Sequence, residues 1–536
     1  MTTNVNGPST LCATAISMCR RRLRATKISD TTGASLTGGE LLTRALILRR
    51  LLRRSMLEAG ERNVAVLLPP SAGAVVANLA LTLDSRVVVN LNYTLTAGML
   101  NSCIAQAGVR HVLTSRKFLE RVPLQLDAEI VLLEDFRDAV SRRDKLVCAA
   151  MAFGLPAKAL TRLLGAHHHR SDDVLSIMFT SGTTGDPKGA VLTHGNIESN
   201  VRAVDEVIRT NPRDVVLGVL PFFHAFGYAI TLWTVAALDV GGAYHVNPLE
   251  AQVIGRLCRE RKVTILLATP MFLRNYIRRC EREDFASLEV VVTGAERLPA
   301  QVADAFEEKF GLRPVEGYGT TETSPLISAN IPPRRAPGDP AASARAGTVG
   351  KPPSSVRVKV VDPDTGTDLG PGEQGMLLVT GPNVMREYLN RPDATAMAIR
   401  DGWYVTGDIC VIDEDGYITI VGRESRFAKI GGELVPHGLI EEALTEIVGV
   451  DEEGQQKLVV VSIPDADRGE RLVVVHTALG QTPAELRRAL QTAGLPNLFI
   501  PAADSFHQVE ALPALGTGKL DIRQIKHLAV VAAHRK

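Results

Sequence analysis

Two hydrophobic periods alternate along the first three-fifths of the chain. Leu41–Leu52 is apolar at helical spacing, Val64–Leu68 is a short β-rich run, and Ala72–Leu83 returns to the helical period. Ile130–Leu133 and Leu175–Phe179 read as buried strands, as do Val215–Leu220, Val263–Ala268 and Leu288–Thr293. Val302, Phe306 and Phe310 share one face of a helix that Gly311 closes. Sustained alternation of this kind predicts an α/β fold, with a large N-terminal domain of layered and largely parallel sheets.

The pattern then changes twice. Ile331–Gly347 is rich in Pro, Arg, Ala and Gly and predicts a loop. Beyond it Val356–Asp362, Met376–Thr380 and Tyr417–Val421 alternate as strands, which predicts a small β subdomain over 348–422. From residue 425 the order becomes helix (Leu439–Ile447), strands (Leu458–Ile463, Leu472–Thr477) and helix (Pro483–Leu490), a compact α+β unit. The expected domains are therefore 1–424 and 425–536, without internal repeats.

Composition narrows the function classes. A chain of 536 residues exceeds the roughly 250–300 at which a single core stops growing. Lys plus Arg number 60 against 59 Asp plus Glu, so there is no net field to attract nucleic acid. The seven cysteines form no Cys-x-x-Cys pair, which argues against a zinc site or a disulfide framework and fits a reducing cytoplasm. His167, His168 and His169 have no second ligand group nearby in sequence, and a solvated loop is expected there. Arg20–Arg22 follow the modestly apolar Leu11–Cys19 instead of preceding it, so no signal peptide is read. Leu146–Ala157, broken by Gly154 and Pro156, is too short to span a bilayer, which takes about 20 apolar residues. Its basic flanks leave two readings open: peripheral contact with a membrane surface, or a core helix pair.

The densest chemistry lies in Met178-Phe-Thr-Ser-Gly-Thr-Thr-Gly-Asp-Pro-Lys-Gly189. Gly182, Gly185 and Gly189 free backbone N–H groups, Thr180, Ser181, Thr183 and Thr184 add hydroxyls, and Lys188 adds a full positive charge. Such a loop binds phosphate, because oriented amides and a cation replace the hydration that the anion loses. It is not a Walker A loop, since Pro187 precedes the lysine and Gly189 follows it.

This loop resembles the signature of the adenylate-forming superfamily, which includes acyl-CoA synthetases, acyl-carrier-protein synthetases, firefly luciferase and nonribosomal adenylation domains. The resemblance implies two steps: a carboxylate attacks the α-phosphate of ATP, giving an acyl-adenylate and pyrophosphate, and a thiol then displaces AMP. Further segments match. Glu316-Gly317-Tyr318-Gly319-Thr320-Thr321-Glu322 is similar to the family's adenine and α-phosphate segment, with Glu322 and Thr180 implied as magnesium ligands. Gly294-Ala295-Glu296 is implied to line the adenine pocket. His224, in Pro221-Phe-Phe-His-Ala-Phe-Gly227, is otherwise a core histidine and is implied to wall the carboxylate site. Asp408 is implied to hold the ribose, and Arg423 the same sugar or the phosphate. Lys519, in Gly-Thr-Gly-Lys-Leu-Asp, is implied to enter the site during adenylation. The C-terminal domain is implied to be a mobile lid that turns at Ser425. Its rotation would present the Lys429-Ile-Gly431-Gly432-Glu face to the thiol donor. Ser425 departs from the Asp or Lys common there.

Asn90–Thr94, Val112–Leu119 and Phe427–Val435 resemble the acyl-carrier-protein synthetase half of bifunctional 2-acylglycerophosphoethanolamine acyltransferase. That likeness implies a fatty acid substrate and CoA or the phosphopantetheine of acyl carrier protein as acceptor. A separate lysophospholipid acyltransferase would then be a partner, since no acyltransferase domain is present. Two other readings stand beside it: an inactive regulatory protein that binds nucleotide or acyl-AMP, and a membrane-associated lysophospholipid acyltransferase using the His-x-x-x-x-Asp pairs His167/Asp172 and His168/Asp173.

Overall fold

The computed structural model describes residues 10–55, 57–58, 60–180, 187–337, 343–430, 433–451, 455–465, 469–514 and 520–534. Two sheets form the large domain. One has eight strands in the order Leu326–Ala329, Val315–Gly319, Val290–Thr293, Ile265–Ala268, Val215–Gly218, Gly241–Tyr244, Thr26–Asp30 and Ser35–Thr37, parallel except at its two ends. The other has seven, in the order Glu387–Tyr388, Lys188–Thr193, Val174–Thr180, Val87–Asn90, Asn63–Val66, His111–Thr114 and Glu129–Leu132. Many of these strands are four-residue runs such as Ile265–Ala268 and Val87–Asn90, buried at every position. Continuous apolar strands of this kind belong to sheets covered on both faces. Helix Ala72–Leu83 is apolar nearly all round and buried at ten of its positions, as a helix packed on several sides must be.

The α/β expectation and its element order hold, and the sequence periods place most ends within two or three residues. Ala72–Leu83 matches to the residue, and Gly311 closes helix Ala300–Phe310 with a left-handed φ of 72°. The 348–422 region carries an antiparallel sheet of Arg357–Val361, Gln374–Thr380, Trp403–Ile412 and Ile399–Arg400, with Ile418–Arg423 paired to Trp403–Ile412. The C-terminal segment builds its own sheet and its own core around Ala428, Val435, Val460 and Val474. Phe427 nevertheless packs with Val361, Met376 and Ile409 of the preceding subdomain, so side chains interlock across residue 425.

The segment 331–347 is a loop, but its described part is not a free tether. Arg335 is buried and forms a fork with Asp214: Nη2 donates to Oδ1 at 2.6 Å and Nη1 to Oδ2 at 3.2 Å. Thr264 Oγ1 donates to the same Asp214 Oδ1 at 2.8 Å. Arg345 pairs with Asp413 and Asp415 and lies 4.2 Å from the Tyr417 ring centroid, fastening the loop to the β subdomain.

Helix Arg142–Gly154 buries Cys148 and Ala152, while Leu146 is 72% exposed. It therefore covers core along one stripe only, between the two readings of that segment. Among the described residues no helix is long and apolar enough to cross a membrane.

Removing one partner of a buried pair strands the other charge without solvent, at a cost of about 3–5 kcal/mol. Arg335→Met should destabilise the large domain by that order in urea unfolding followed by tryptophan fluorescence. A cost near zero would show that Asp214 does not depend on the arginine.

Candidate active site

Strands Val174–Thr180 and Lys188–Thr193, which flank the phosphate-type motif, pair antiparallel as a hairpin with Thr180 opposite Lys188. Ser181, Gly182, Thr183, Thr184 and Gly185 lie outside the described residues. Gly189 fits because a Cβ there would meet Ile177 Cγ2 at 2.9 Å. Thr180 Oγ1 makes a long hydrogen bond to the Lys188 carbonyl, 3.4 Å. The Lys188 ammonium lies 4.8 Å from the Tyr388 ring centroid, a cation–π arrangement. Tyr388 is placed by a two-residue strand that pairs with the outer strand of the hairpin opposite Ala190.

The second motif reaches the same tyrosine from the other sheet. Gly319 permits a backbone approach that no side chain would allow, since its Cβ would fall 1.8 Å from the Pro325 carbonyl oxygen. The turn that follows is capped by Thr320, whose N–H donates to Thr323 Oγ1 at 3.1 Å. Thr320, Thr321 and Glu322 are all half-buried. Glu322 Oε1 accepts from the Tyr388 hydroxyl at 2.6 Å. A cation and a carboxylate from separate sheets thus converge on one phenol, and burial raises that phenol's pKa so that it stays a donor.

Glu316 and Tyr318, neighbours on one strand, do different work. The Glu316 carboxylate is buried, accepts from the Leu298 N–H at 2.9 Å, and has its pKa raised by burial. It braces the turn holding Gly294, Ala295 and Glu296. Gly294 lies against the Phe226 ring and the Gly317 carbonyl, while Ala295 (φ 71°) and Glu296 are exposed. Tyr318 donates its hydroxyl to Asp408 Oδ2, and Arg423 Nε reaches Asp408 Oδ1 at 3.1 Å. Asp408 and Arg423 face each other in the strand register, which explains the pairing of two residues that are fifteen positions apart. Asp408 is 3% exposed; burial raises its pKa, and the Arg423 charge and the Tyr318 hydroxyl oppose the shift.

His224 is exposed on the turn before a π-helical segment, Phe226–Trp233, with its ring centroid 4.5 Å from that of Phe223. Its position at the surface differs from the ordinary expectation of a core histidine among aromatics. Gly227 lets the segment press on its own turn, since a Cβ would sit 2.2 Å from the Pro221 carbonyl oxygen.

The motif reading missed several residues. Tyr388 falls in a segment without motif character. Tyr404 lies buried beside this cluster on the strand that carries Asp408. Asn196 and Asn200 lie one turn apart on helix His194–Ile208, whose neighbouring positions Ile197, Val201 and Val204 are buried and apolar. Asn200 Nδ2 donates to the Thr323 carbonyl at 2.9 Å and its Oδ1 accepts from Leu326 N–H at 3.1 Å. Asn196 Nδ2 donates to the carbonyls of Pro382 and Val384. Amides buried on an apolar helix face are the signal that could have found them.

The expected residues of the C-terminal unit are placed unequally. Lys429 bonds both Asp364 carboxylate oxygens, at 2.6 and 2.8 Å, and that carboxylate raises its pKa. Arg297, next to Glu296, pairs with Glu442 of the C-terminal unit at 2.9 Å. Gly431, Gly432 and Lys519 lie outside the described residues; Ala514 and Leu520 pair in an isolated antiparallel bridge. His167 and His168 are exposed, with Asp172 beside Arg170 at 3.8 Å and Asp173 accepting from the Arg170 N–H. His169 is half-buried, which corrects the expectation of a solvated triad.

A family model described as AMP-binding enzyme matches residues 17–389. A long-chain-fatty-acid–CoA ligase of Bacillus subtilis (strain 168) is 28% identical over 531 residues, covering 92% of this chain and 90% of that protein. A feruloyl-CoA synthase of an Amycolatopsis species is 31% identical over 360 residues, 65% of this chain and 68% of that one. Among solved structures, ATP-bound MatB from Rhodopseudomonas palustris superposes with a TM-score of 0.76 at 26% identity, over 96% of this chain and 98% of that chain.

A carboxyl that titrates above its ordinary 3.8 in the folded chain binds more protons folded than unfolded just above that value. Its contribution to stability is therefore lost as pH rises through that window. Asp408→Asn removes this loss while keeping an acceptor for Tyr318. At pH 7 its melting temperature should equal or exceed that of the parent, and a fall of more than about 2 °C would contradict the assignment.

Proposed function

The chain belongs to the AMP-binding enzyme family, and we propose that it is an AMP-forming acid–thiol ligase that joins a fatty acid to CoA through an acyl-adenylate. The convergence of Lys188 and Glu322 on Tyr388 carries this reading, because a triphosphate needs a fixed cation and its metal needs a fixed hard oxygen in the same place. Glu322, oriented by the Tyr388 hydroxyl at 2.6 Å, and the Thr180 hydroxyl form a donor set that fits magnesium, which takes one or two protein oxygens and keeps waters. Bound there, the ion would supply charge neutralisation to the phosphates.

The residues then divide the work. Asp408 holds the ribose hydroxyls on its carboxylate oxygens, positioned by Tyr318 and Arg423. Lys188 and the hairpin-tip amides stabilise the charge that grows on pyrophosphate as the α–β bridging bond breaks. The fatty carboxylate forms the new bond to the α-phosphorus, and His224 borders its entry. Lys519 brings a second cation to that carboxylate and the α-phosphate, which otherwise repel each other. In the second step the thiol loses its proton, its sulfur bonds the acyl carbon, and AMP leaves.

A lid that must retreat between steps should be held weakly, and the Arg297–Glu442 contact joins two exposed side chains. Exposed pairs of this kind contribute little. The breadth of likeness supports a fatty over an aromatic acid: the fatty-acid ligase relative spans 92% of the chain, the feruloyl-CoA relative 65%. CoA is the acceptor in the relatives' names, and acyl carrier protein is the competitor carried by the resemblance in Asn90–Thr94 and Phe427–Val435.

Lys519→Ala should slow adenylate formation from fatty acid and ATP by about 10²–10³-fold while sparing thioester formation from supplied acyl-adenylate. Equal loss of both half-reactions contradicts that role. Run with CoA and with acyl carrier protein in parallel, the second half-reaction identifies the acceptor; turnover with carrier protein alone would overturn the CoA assignment.

A further inference from the structure

The three consecutive histidines belong to no part of the proposed chemistry, yet the fold gives one of them partners that sequence distance conceals. Cys12 on helix Leu11–Arg21, His169 on the turn before strand Val174–Thr180, and His194 at the start of helix His194–Ile208 bring one ligand atom each within 4.8 Å of one another. No other cluster of this kind occurs among the described residues. Cys12 is 1% exposed and His194 4%. The two imidazole rings lie 5.1 Å apart at 36°.

What makes the cluster more than packing is its unmet polarity. The Nδ1 atoms of both His169 and His194 are buried without a hydrogen-bond partner, and so is the hydroxyl of Thr82, whose carbonyl faces the Cys12 thiol at 3.7 Å. Buried polar atoms normally find partners, because leaving them unpaired forfeits the hydration they had in the unfolded chain. Nε2 of His169 is taken by Ser85 Oγ at 2.7 Å, which leaves Nδ1 as the free ring nitrogen. A ligand imidazole held through its other nitrogen is the usual outer-shell arrangement at metal sites.

We propose that Cys12, His169 and His194 bind a zinc ion that clips the N-terminal helix to the base of the phosphate-loop hairpin. One thiolate and two neutral imidazoles suit tetrahedral Zn2+ and leave a fourth position for water. Ligand atoms about 2.0–2.3 Å from the metal stand closer together than the present spacing, so binding draws them inward by about 1 Å. A zinc-bound cysteine is a thiolate, so binding expels the Cys12 proton to solvent. The absence of a Cys-x-x-Cys pair, read from sequence as evidence against zinc, does not bear on ligands drawn from three separated elements.

The placement gives the clip a role. Val174 pairs with Thr193 at the open end of the hairpin; His194 follows that pair directly and His169 precedes it by five residues. Metal there would tie both strand ends to helix Leu11–Arg21, opposite the tip that carries Lys188. The cluster would hold metal whatever acid the enzyme activates.

The test uses the full chain with Co2+ as a spectroscopic stand-in and Zn2+ as competitor. One equivalent of Co2+ should give tetrahedral ligand-field bands and a thiolate-to-cobalt charge-transfer band, both removed by Zn2+. Cys12→Ser and His169→Asn should abolish the site, Ser85→Ala should weaken it about 10–100-fold, and Cys19→Ser, in the same helix, should leave it intact. His169 is only half-buried, so its variant is expected to fold even where the Cys12 variant does not. A parent protein that shows no charge-transfer band, or one whose band survives Cys12→Ser, overturns the proposal and leaves a packed histidine pair.

Discussion

The antiparallel register of Val174–Thr180 with Lys188–Thr193 is the constraint on which the rest of the site depends. It fixes Lys188 opposite Thr180 and offers its outer strand as the template for Tyr388. A one-residue slip would send Lys188 to the opposite face of the sheet. Tyr388 would then lose the cation over its ring, and Lys188 would leave the phenol that Glu322 also holds.

Around that hairpin the structure solves a problem of charge. Two carboxylates, Glu322 and Asp408, sit partly or wholly out of water, and each is held by a tyrosine hydroxyl. A phenol donates without neutralising the acid, so the negative charge stays available to a cation or to a diol. Arg423 adds charge to Asp408 from a side chain that is itself 56% exposed and can shift toward a ligand. Helix His194–Ile208 makes these two halves one object, because Asn200 bonds the turn next to Glu322 while the helix itself begins where the hairpin ends.

Period and motif reached far in this chain, and their limits have physical causes. Buried strands such as Val87–Asn90 and helix Ala72–Leu83 announce themselves because continuous or all-round apolarity has few other uses. The Tyr318, Glu322 and Asp408 segments were legible because glycines crowd residues whose chemistry is distinctive. Tyr388 was not, because its role comes from a strand of two residues placed by tertiary pairing. Arg335 reads from sequence as one residue of a loop, since a lone arginine there carries no sign that Asp214 lies buried beneath it. His169 differs from expectation for the same reason: a solvated run and a half-buried histidine share one local sequence, and only the arrival of helix Leu11–Arg21 distinguishes them.

The central claim is that the hairpin cation and the tyrosine-held carboxylates together activate a fatty acid on ATP. Its most direct measurement is exchange of labelled pyrophosphate into ATP by purified protein with magnesium, across saturated acids of increasing length and a set of aromatic acids. The account predicts exchange that requires a fatty acid, peaks at one range of chain lengths, and collapses in Glu322→Gln. Exchange with none of these acids, or exchange undiminished by Glu322→Gln, would contradict it.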